Sequence, residues 1–188
     1  MDMVTANSLS AAVWARAALA RISSGGVDAV KVETLASELG VTKGSFYWHF
    51  ADRSALVAAA LELWEWEGTT EVVAALDDVD DPRARLRALF ETSFGDLVDS
   101  PIESALVTRI DDPVVGPVVE RVSIARIAFL ERLFRELGLT PSRAAVQARI
   151  VYSLYVGHGQ VRRTLPDDPV IGDPRPAYLR RLLDVATP

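Results

Sequence analysis

Residues 32–53 read VETLASELGVTKGSFYWHFADR, and this segment decides the fold. The apolar residues of its first part recur at i, i+3, i+4 and i+7, the spacing of a helix that packs on one side: Val32, Leu35, Ala36 and Leu39. Gly40 follows, and glycine favours a helix C-terminus because it enters the left-handed backbone region without strain. Two short helices joined by such a turn have the geometry that places the second helix in a DNA major groove.

The second helix has two chemically different faces. Phe46 and Phe50 are four residues apart and share the face that packs on the core. The opposite arc carries small, polar and aromatic residues: Gly44, Ser45, Tyr47 and Trp48, with Lys43 and His49 at its margins. Outward aromatic rings are unfavourable in water, whereas DNA would cover them and offer phosphates to the hydroxyl and amine groups. A helical hairpin buried against a second domain is the structural alternative.

Residues from about 11 to 64 resemble the N-terminal domain of the TetR family of bacterial transcriptional repressors. The resemblance rests on strings that occur at fixed spacing without a gap: GVDAV (residues 26–30), LASELGVTKGSFYWHF (residues 35–50), and Asp52-Arg53 followed by Leu56. It says little about the remaining two thirds of the chain, where members of that family diverge.

The resemblance implies a homodimeric repressor that binds a palindromic double-stranded DNA operator and responds to a small effector. It implies that seven residues of the turn and second helix face DNA: Thr42, Lys43, Gly44, Ser45, Tyr47, Trp48 and His49. It also implies that Arg53 contacts a phosphate. Where the family usually has Ser or Thr at the start of the first helix of the motif, this chain has Lys31, which cannot cap the helix but can pair with phosphate directly.

The acidic excess of the chain lies outside this domain. The formal net charge is −6, whereas a DNA-binding domain is more often basic. Residues 1–53 contain five Lys or Arg and five Asp or Glu, so that region is neutral. The acidic body would repel DNA from the wrong face. With few phosphate contacts in each subunit, tight binding is expected to depend on a dimer.

The pattern of the whole chain predicts an all-α fold. Residues 1–53 are expected to form a three-helix DNA-binding domain with the helix-turn-helix, and residues 54–188 a helical effector-binding and dimerisation domain. Four helices are predicted to start at a capping side chain followed by proline: Asp81-Pro82, Ser100-Pro101, Asp112-Pro113 and Thr140-Pro141. Another helix is expected over about residues 118–137, and Pro117 is expected to kink or restart it.

One segment of the body predicts a dimer interface. Residues 148–159, ARIVYSLYVGHG, are apolar nearly all round, so their helix must be buried on more than one side. An outermost helix of a small domain achieves that by meeting a second chain, and Gly157 and Gly159 would let a neighbouring helix come close. With the final helix, about residues 175–185, it predicts a four-helix interface between two copies of the chain.

Nine residues of the body are candidates for a small, mainly apolar effector pocket. Aromatic rings would form its walls and polar side chains would orient the ligand: Trp64, Phe90, Phe94, Phe129, Tyr152 and Tyr155, with Arg109, Gln147 and His158. For each aromatic residue the alternative is ordinary core packing, and for His158 a hydrogen-bonded interface position. The aspartates between residues 77 and 81 lack the glycine and bidentate glutamate of a calcium loop, so no metal site is expected.

The available residues disfavour an enzyme. The chain has no cysteine and two histidines, and it lacks a phosphate-cradling glycine loop, so neither a catalytic site nor a cofactor is expected. A helical adaptor for a protein partner is the other alternative, since Tyr47 and Trp48 could serve such a partner. The chain is expected to be cytoplasmic and without a membrane partner, because it shows no signal-peptide pattern and no eighteen-residue apolar run.

Overall fold

The computed structural model describes residues 10–94, 102–170 and 176–187, and over these residues the fold is all-α. A 3₁₀ turn, Val27–Ala29, precedes the second helix, and a π-helical segment, Trp66–Thr70, joins the fourth to the fifth. Within the described ranges, no helix is both long and apolar enough to cross a bilayer. The α-helices of these ranges are α1 (Ala11–Gly25), α2 (Val32–Glu38), α3 (Lys43–Tyr47), α4 (Arg53–Glu65), α5 (Glu71–Asp77), α6 (Pro82–Phe94), α7 (Ile102–Val107), α8 (Val115–Glu136), α9 (Pro141–Thr164) and α10 (Pro176–Ala186).

Capping side chains begin three helices, and two of these starts, at Asp81 and Thr140, are where the sequence predicts them. Asp52 accepts a hydrogen bond from the third amide of α4 at 2.8 Å, and Asp81 accepts from two amides in the first turn of α6 at 3.3 and 3.1 Å. Thr140 accepts from the third amide of α9 at 3.5 Å. Each contact satisfies an amide that has no partner inside its own helix. The predicted start at Ser100-Pro101 lies outside the described residues.

The start of α8 differs from the prediction. The helix begins at Val115 rather than at Pro113, because Asp112 closes a turn by accepting from the Val114 amide at 2.8 Å. Pro117, expected to kink or restart the helix, lies in its first turn and does not interrupt it. Amides of a first turn have no intrahelical partner, so proline removes no hydrogen bond there.

Two glycines end helices in the left-handed backbone region. Gly40 has φ +67° after α2, and Gly138 has φ +95° after α8. In each case the following amide bonds to a carbonyl five residues earlier, Val41 to Ala36 at 3.0 Å and Leu139 to Phe134 at 3.1 Å. This closure reverses the chain, which sets α3 against α2 and α9 against α8.

A first hydrophobic core joins the N-terminal helices to the body. Trp14 and Phe46 are buried at its centre, and their ring centroids lie 5.5 Å apart. Helices α7 and α8 complete this core with Ile102, Leu106, Val115, Val118, Val119 and Val122. Residues on both sides of the predicted domain boundary at residue 53 therefore share one core, and the boundary itself stays a prediction.

A second hydrophobic core lies among α5, α6, the C-terminal half of α8, α9 and α10. Aromatic residues of α6 and α8 form much of it: Phe90, Phe94, Phe129 and Phe134. Arg85 is buried beside this core, where it donates to the Val79 carbonyl at 2.9 Å and to Glu136 at 2.7 Å. The body therefore has its own apolar interior, separate from the core that supports α3.

Phe46 and Trp48 provide a matched test of the direction in which α3 faces. Replacing Phe46 by alanine should lower the free energy of unfolding by about 3–5 kcal/mol, because it deletes a buried ring and leaves a cavity. Replacing Trp48, which is 87% exposed, should change that free energy by less than about 0.5 kcal/mol. Urea unfolding of both variants checks the difference. A larger loss of unfolding free energy for Trp48→Ala would mean that the opposite face of α3 packs on the core.

Candidate nucleic-acid interface and ligand cavity

Two aromatic side chains are exposed at the end of α3, Tyr47 as its last residue and Trp48 directly after it. Tyr47 is 58% exposed and Trp48 is 87% exposed, whereas Phe46 and Phe50 lie in the first core. The ring of Phe46 stacks on Phe50 at 5.6 Å between centroids and packs edge-on against Trp14. The inner face is thus fixed by three rings, and the outer face carries an apolar surface of the kind that a binding partner covers.

The smaller residues predicted to face DNA lie around these rings. Thr42 precedes α3 in an extended conformation, and its hydroxyl does not cap the helix. Gly44 is exposed and Ser45 is half-buried. His49 is turned partly inward, with a buried Nε2 that has no hydrogen-bond partner among the described residues. The outer surface of this segment therefore combines hydroxyl groups with aromatic edges.

The basic residues near α3 have different surroundings. Lys43 forms an ion pair with Glu33 on the first turn of α2, and the hydrogen bond from Lys43 holds the pKa of Glu33 below its usual value. Lys31 is exposed at the start of α2 and does not cap that helix. Arg53 is half-buried, and it donates to the carbonyl of Val30 at 2.7 Å and to that of Val27. Two nitrogens of Arg53 therefore brace the loop before α2.

The geometry of these helices agrees with a known family. Residues 16–65 match the family described as bacterial regulatory proteins, tetR family. Residues 16–65 thus form the N-terminal domain of the TetR family. Within the matched segment, α2, the turn at Gly40 and α3 form the DNA-binding helix-turn-helix of that family.

Individual members are similar over different lengths. The tetracycline repressor protein class A from transposon 1721 of Escherichia coli is 40% identical over 63 residues, which are 34% of this chain and 29% of that repressor. A TetR-family regulator from Agrobacterium tumefaciens is similar in structure with a TM-score of 0.76, at 21% identity over 95% of this chain and all of that one. A fatty acid degradation regulator from Bacillus halodurans gives a TM-score of 0.73, at 13% identity, and the alignment covers 98% of this chain and 97% of that one. The chain thus has the fold of these regulators over nearly its whole length, with close sequence similarity confined to the N-terminal region.

A cavity of about 70 Å³ lies among the π-helical segment, α5, α6, α8 and α9. Five of the nine residues predicted for the effector pocket line it: Phe90, Phe94, Phe129, Tyr152 and Tyr155. The hydroxyl of Tyr152 lies 2.8 Å from that of Ser123, which anchors one wall. Burial and then the charge of Glu103 raise the pKa of Tyr155 above its ordinary range, so its hydroxyl stays protonated.

Three predicted pocket residues have partners elsewhere. Arg109 pairs with Asp28 of the N-terminal region, and Gln147 donates to the Ala186 carbonyl at 2.9 Å. The Nδ1 atom of His158 lies 3.0 Å from the hydroxyl oxygen of Tyr178. Gln147 and His158 thus tie α9 to α10, because polar groups removed from water need hydrogen-bond partners. Trp64 borders an adjoining cleft of about 520 Å³.

Arg126 lines both the cavity and the cleft, and the sequence did not indicate it. Its Nη2 donates to the Gly68 carbonyl at 3.0 Å and its Nε to the Thr69 hydroxyl at 2.9 Å. Both acceptors belong to the π-helical segment, where a wider turn changes the direction of the carbonyls. The low helix propensity of glycine and threonine was the available sequence signal for that segment. Arg126 is far from this segment in the sequence, and no sequence pattern indicated that the two would be in contact.

His158 generates a pH-dependent prediction. Burial among aromatic rings, and then the charge of Arg162, lower the pKa of His158 below its ordinary value. Protonation therefore favours the unfolded chain, so the free energy of unfolding should fall as the pH drops through the ordinary histidine pKa of about 6.5. His158→Gln should make that fall shallower. Thermal unfolding of both proteins between pH 7.5 and about 5 tests this, and equal slopes would contradict it.

Proposed function

We propose that the whole chain is a TetR-family protein, a cytoplasmic transcriptional repressor that binds a palindromic operator as a homodimer. A small, mainly apolar effector releases it from DNA. The observation that carries the proposal is the exposed aromatic face of α3, formed by Tyr47 and Trp48 within a helix-turn-helix whose inner face is buried. Covering these exposed rings with a binding partner removes apolar surface from water, which lowers the free energy of the complex.

The surroundings of α3 supply the remaining chemistry for DNA. Thr42 and Ser45 carry hydroxyl groups for phosphates or bases, and Lys31 and Lys43 carry the positive charges that displace counterions. Lys43 must exchange Glu33 for a phosphate, and this exchange costs little because both partners are exposed. Arg53 contributes mainly by holding the loop before α2, since two of its nitrogens already bind carbonyl groups.

The surface of α9 supports the proposed dimer. Ala144, Ala148 and Val151 face the second core, while the other side of the helix leaves apolar residues in water. Val146 is 58% exposed and Ile150 is 50% exposed. A twofold axis beside this face would bury it against its own copy and would set two α3 helices on one side of the duplex, about 34–36 Å apart.

The cavity supports the proposal that the protein binds a small effector. Its walls are aromatic and aliphatic, which suits a small apolar group of a ligand, and the adjoining cleft of about 520 Å³ leaves room for the rest. It touches the π-helical segment that continues α4, and α4 begins directly after the helix-turn-helix. A ligand that fits only one position of these helices would favour one separation of the two N-terminal domains, and DNA affinity would fall if that separation does not fit the operator.

Tyr47→Ala tests the DNA-binding part of the proposal. We expect it to weaken binding to an operator duplex by about 1–3 kcal/mol, because the outward ring is lost while the core is untouched. Trp66→Ala is the matched control, since Trp66 is also an exposed aromatic, at 54%, but lies beyond α4. Fluorescence anisotropy with a duplex selected from a random pool measures the affinity. An equal loss of DNA affinity in the two variants would show that α3 is not part of the interface.

Salt dependence distinguishes the repressor from an adaptor for a protein partner. The wild-type affinity for duplex DNA should fall steeply with salt, and Lys43→Gln should reduce the slope of that dependence by about 1. A protein that shows no salt-dependent binding to DNA would fit the adaptor and contradict the repressor.

Gly157→Glu tests the dimer without disturbing the isolated subunit. A Cβ atom added at Gly157 meets nothing within 4 Å, and a glycine replaced inside a helix gains helix propensity. The variant should therefore fold but sediment as a monomer at micromolar concentration, where the wild type is a dimer. Ile110→Glu places the same charge on an exposed residue between α7 and α8 and should leave the dimer intact. A dimeric Gly157→Glu variant would exclude this face of α9.

A further inference from the structure

The cavity and its adjoining cleft meet at a buried ion pair. Arg126 of α8 donates through Nη1 to the carboxylate of Glu103 on α7. The side chains of the two residues are 15% and 19% exposed. The other two guanidinium nitrogens donate to Gly68 and Thr69. Every nitrogen of Arg126 thus has an acceptor before any ligand arrives.

Aromatic rings enclose the same guanidinium. Its Cζ atom lies 5.5 Å from the ring centroid of Trp64 and 5.6 Å from that of Tyr155. Tyr155 and Arg126 line both the cavity and the cleft, and Glu103 lines the cleft. A ligand that fills the cavity therefore meets a charged group, but that group is already neutralised by its partner.

This pairing disfavours charged ligands. An anionic ligand would have to displace Glu103 from Arg126 and leave a buried carboxylate unpaired, or place two negative charges beside one guanidinium. A cationic ligand would compete with Arg126 for Glu103 in the same way. An uncharged ligand breaks nothing, and it can hydrogen-bond to the protonated hydroxyl of Tyr155 or to Ser93, which also lines the cavity.

We infer that Glu103 determines the specificity of the effector site: by neutralising Arg126 it makes the cavity select uncharged amphipathic ligands over carboxylates and amines. This inference rests on the proposed effector function. It assigns Glu103 a role in ligand selection rather than in signalling, and it predicts that removal of one carboxylate converts the site into one that prefers anions.

Three probes with one apolar body test the inference on the purified protein without DNA: 4-butylbenzyl alcohol, 4-butylbenzoate and 4-butylbenzylamine. Isothermal titration of the wild type should give an affinity for the alcohol about tenfold higher than for either charged probe. In Glu103→Gln the benzoate should gain about tenfold and bind more tightly than the alcohol, since Arg126 then lacks its counter-charge. Glu67→Gln is the matched control, because Glu67 also lines the cleft but pairs with Arg16. The Glu67→Gln variant should bind the three probes in the same order of affinity as the wild type.

Each outcome separates the two proposals. A wild type that prefers the benzoate, or a Glu103→Gln variant with an unchanged order, overturns the role of Glu103 and leaves the effector site standing. Failure of all three probes to bind either protein removes the effector site and this inference with it, while DNA binding is measured separately. If Glu103→Gln does not fold, as judged by its thermal unfolding, the order of affinities in the wild type alone still decides, because a preference for either charged probe contradicts the inference.

Discussion

The packing of Phe46 against Trp14 fixes the position of α3, and the outer surface of the N-terminal domain depends on it. The two rings meet edge to face, with 5.5 Å between their centroids. Helix α3 has five residues, far fewer than a helix needs to be stable alone in water. Its orientation therefore comes from this contact and from the stacked ring of Phe50. Tyr47 and Trp48 are exposed because the residues beside them are held in the core.

The same core connects the body to α3. Residues of α7 and α8 complete the interior that holds Trp14 and Phe46. Arg109 also pairs with Asp28, and Arg121 of α8 pairs with Glu65 of α4, but exposed pairs contribute little free energy. A close-packed interior resists local change. In the proposed release from DNA, a displacement of α7 or α8 would have to be accommodated by α1 and α4, and the shared core would be the physical connection between the cavity and the helix-turn-helix.

The parts of the structure that the sequence could predict are those set by local rules. Periodicity located α2 and the two faces of α3, and capping residues located the starts of α6 and α9. The ion pair of Arg126 with Glu103 escaped prediction, because its geometry depends on how α7 and α8 cross. The hydrogen bond of Gln147 escaped prediction for the same reason, since its partner carbonyl at Ala186 lies on another helix. Long polar side chains find partners that helical spacing does not encode.

Because the N-terminal domain has no net charge, the proposed dimer is important for DNA affinity. Lys43 is paired with Glu33, and two nitrogens of Arg53 bind carbonyl groups, so one domain offers few cations to a phosphate backbone. Two domains held on a twofold axis bind with an affinity that depends on both, because the second contact is intramolecular once the first has formed. That advantage is lost when their spacing does not match the duplex. In the proposed mechanism, an effector would then have to change only the distance between the two domains to weaken DNA binding.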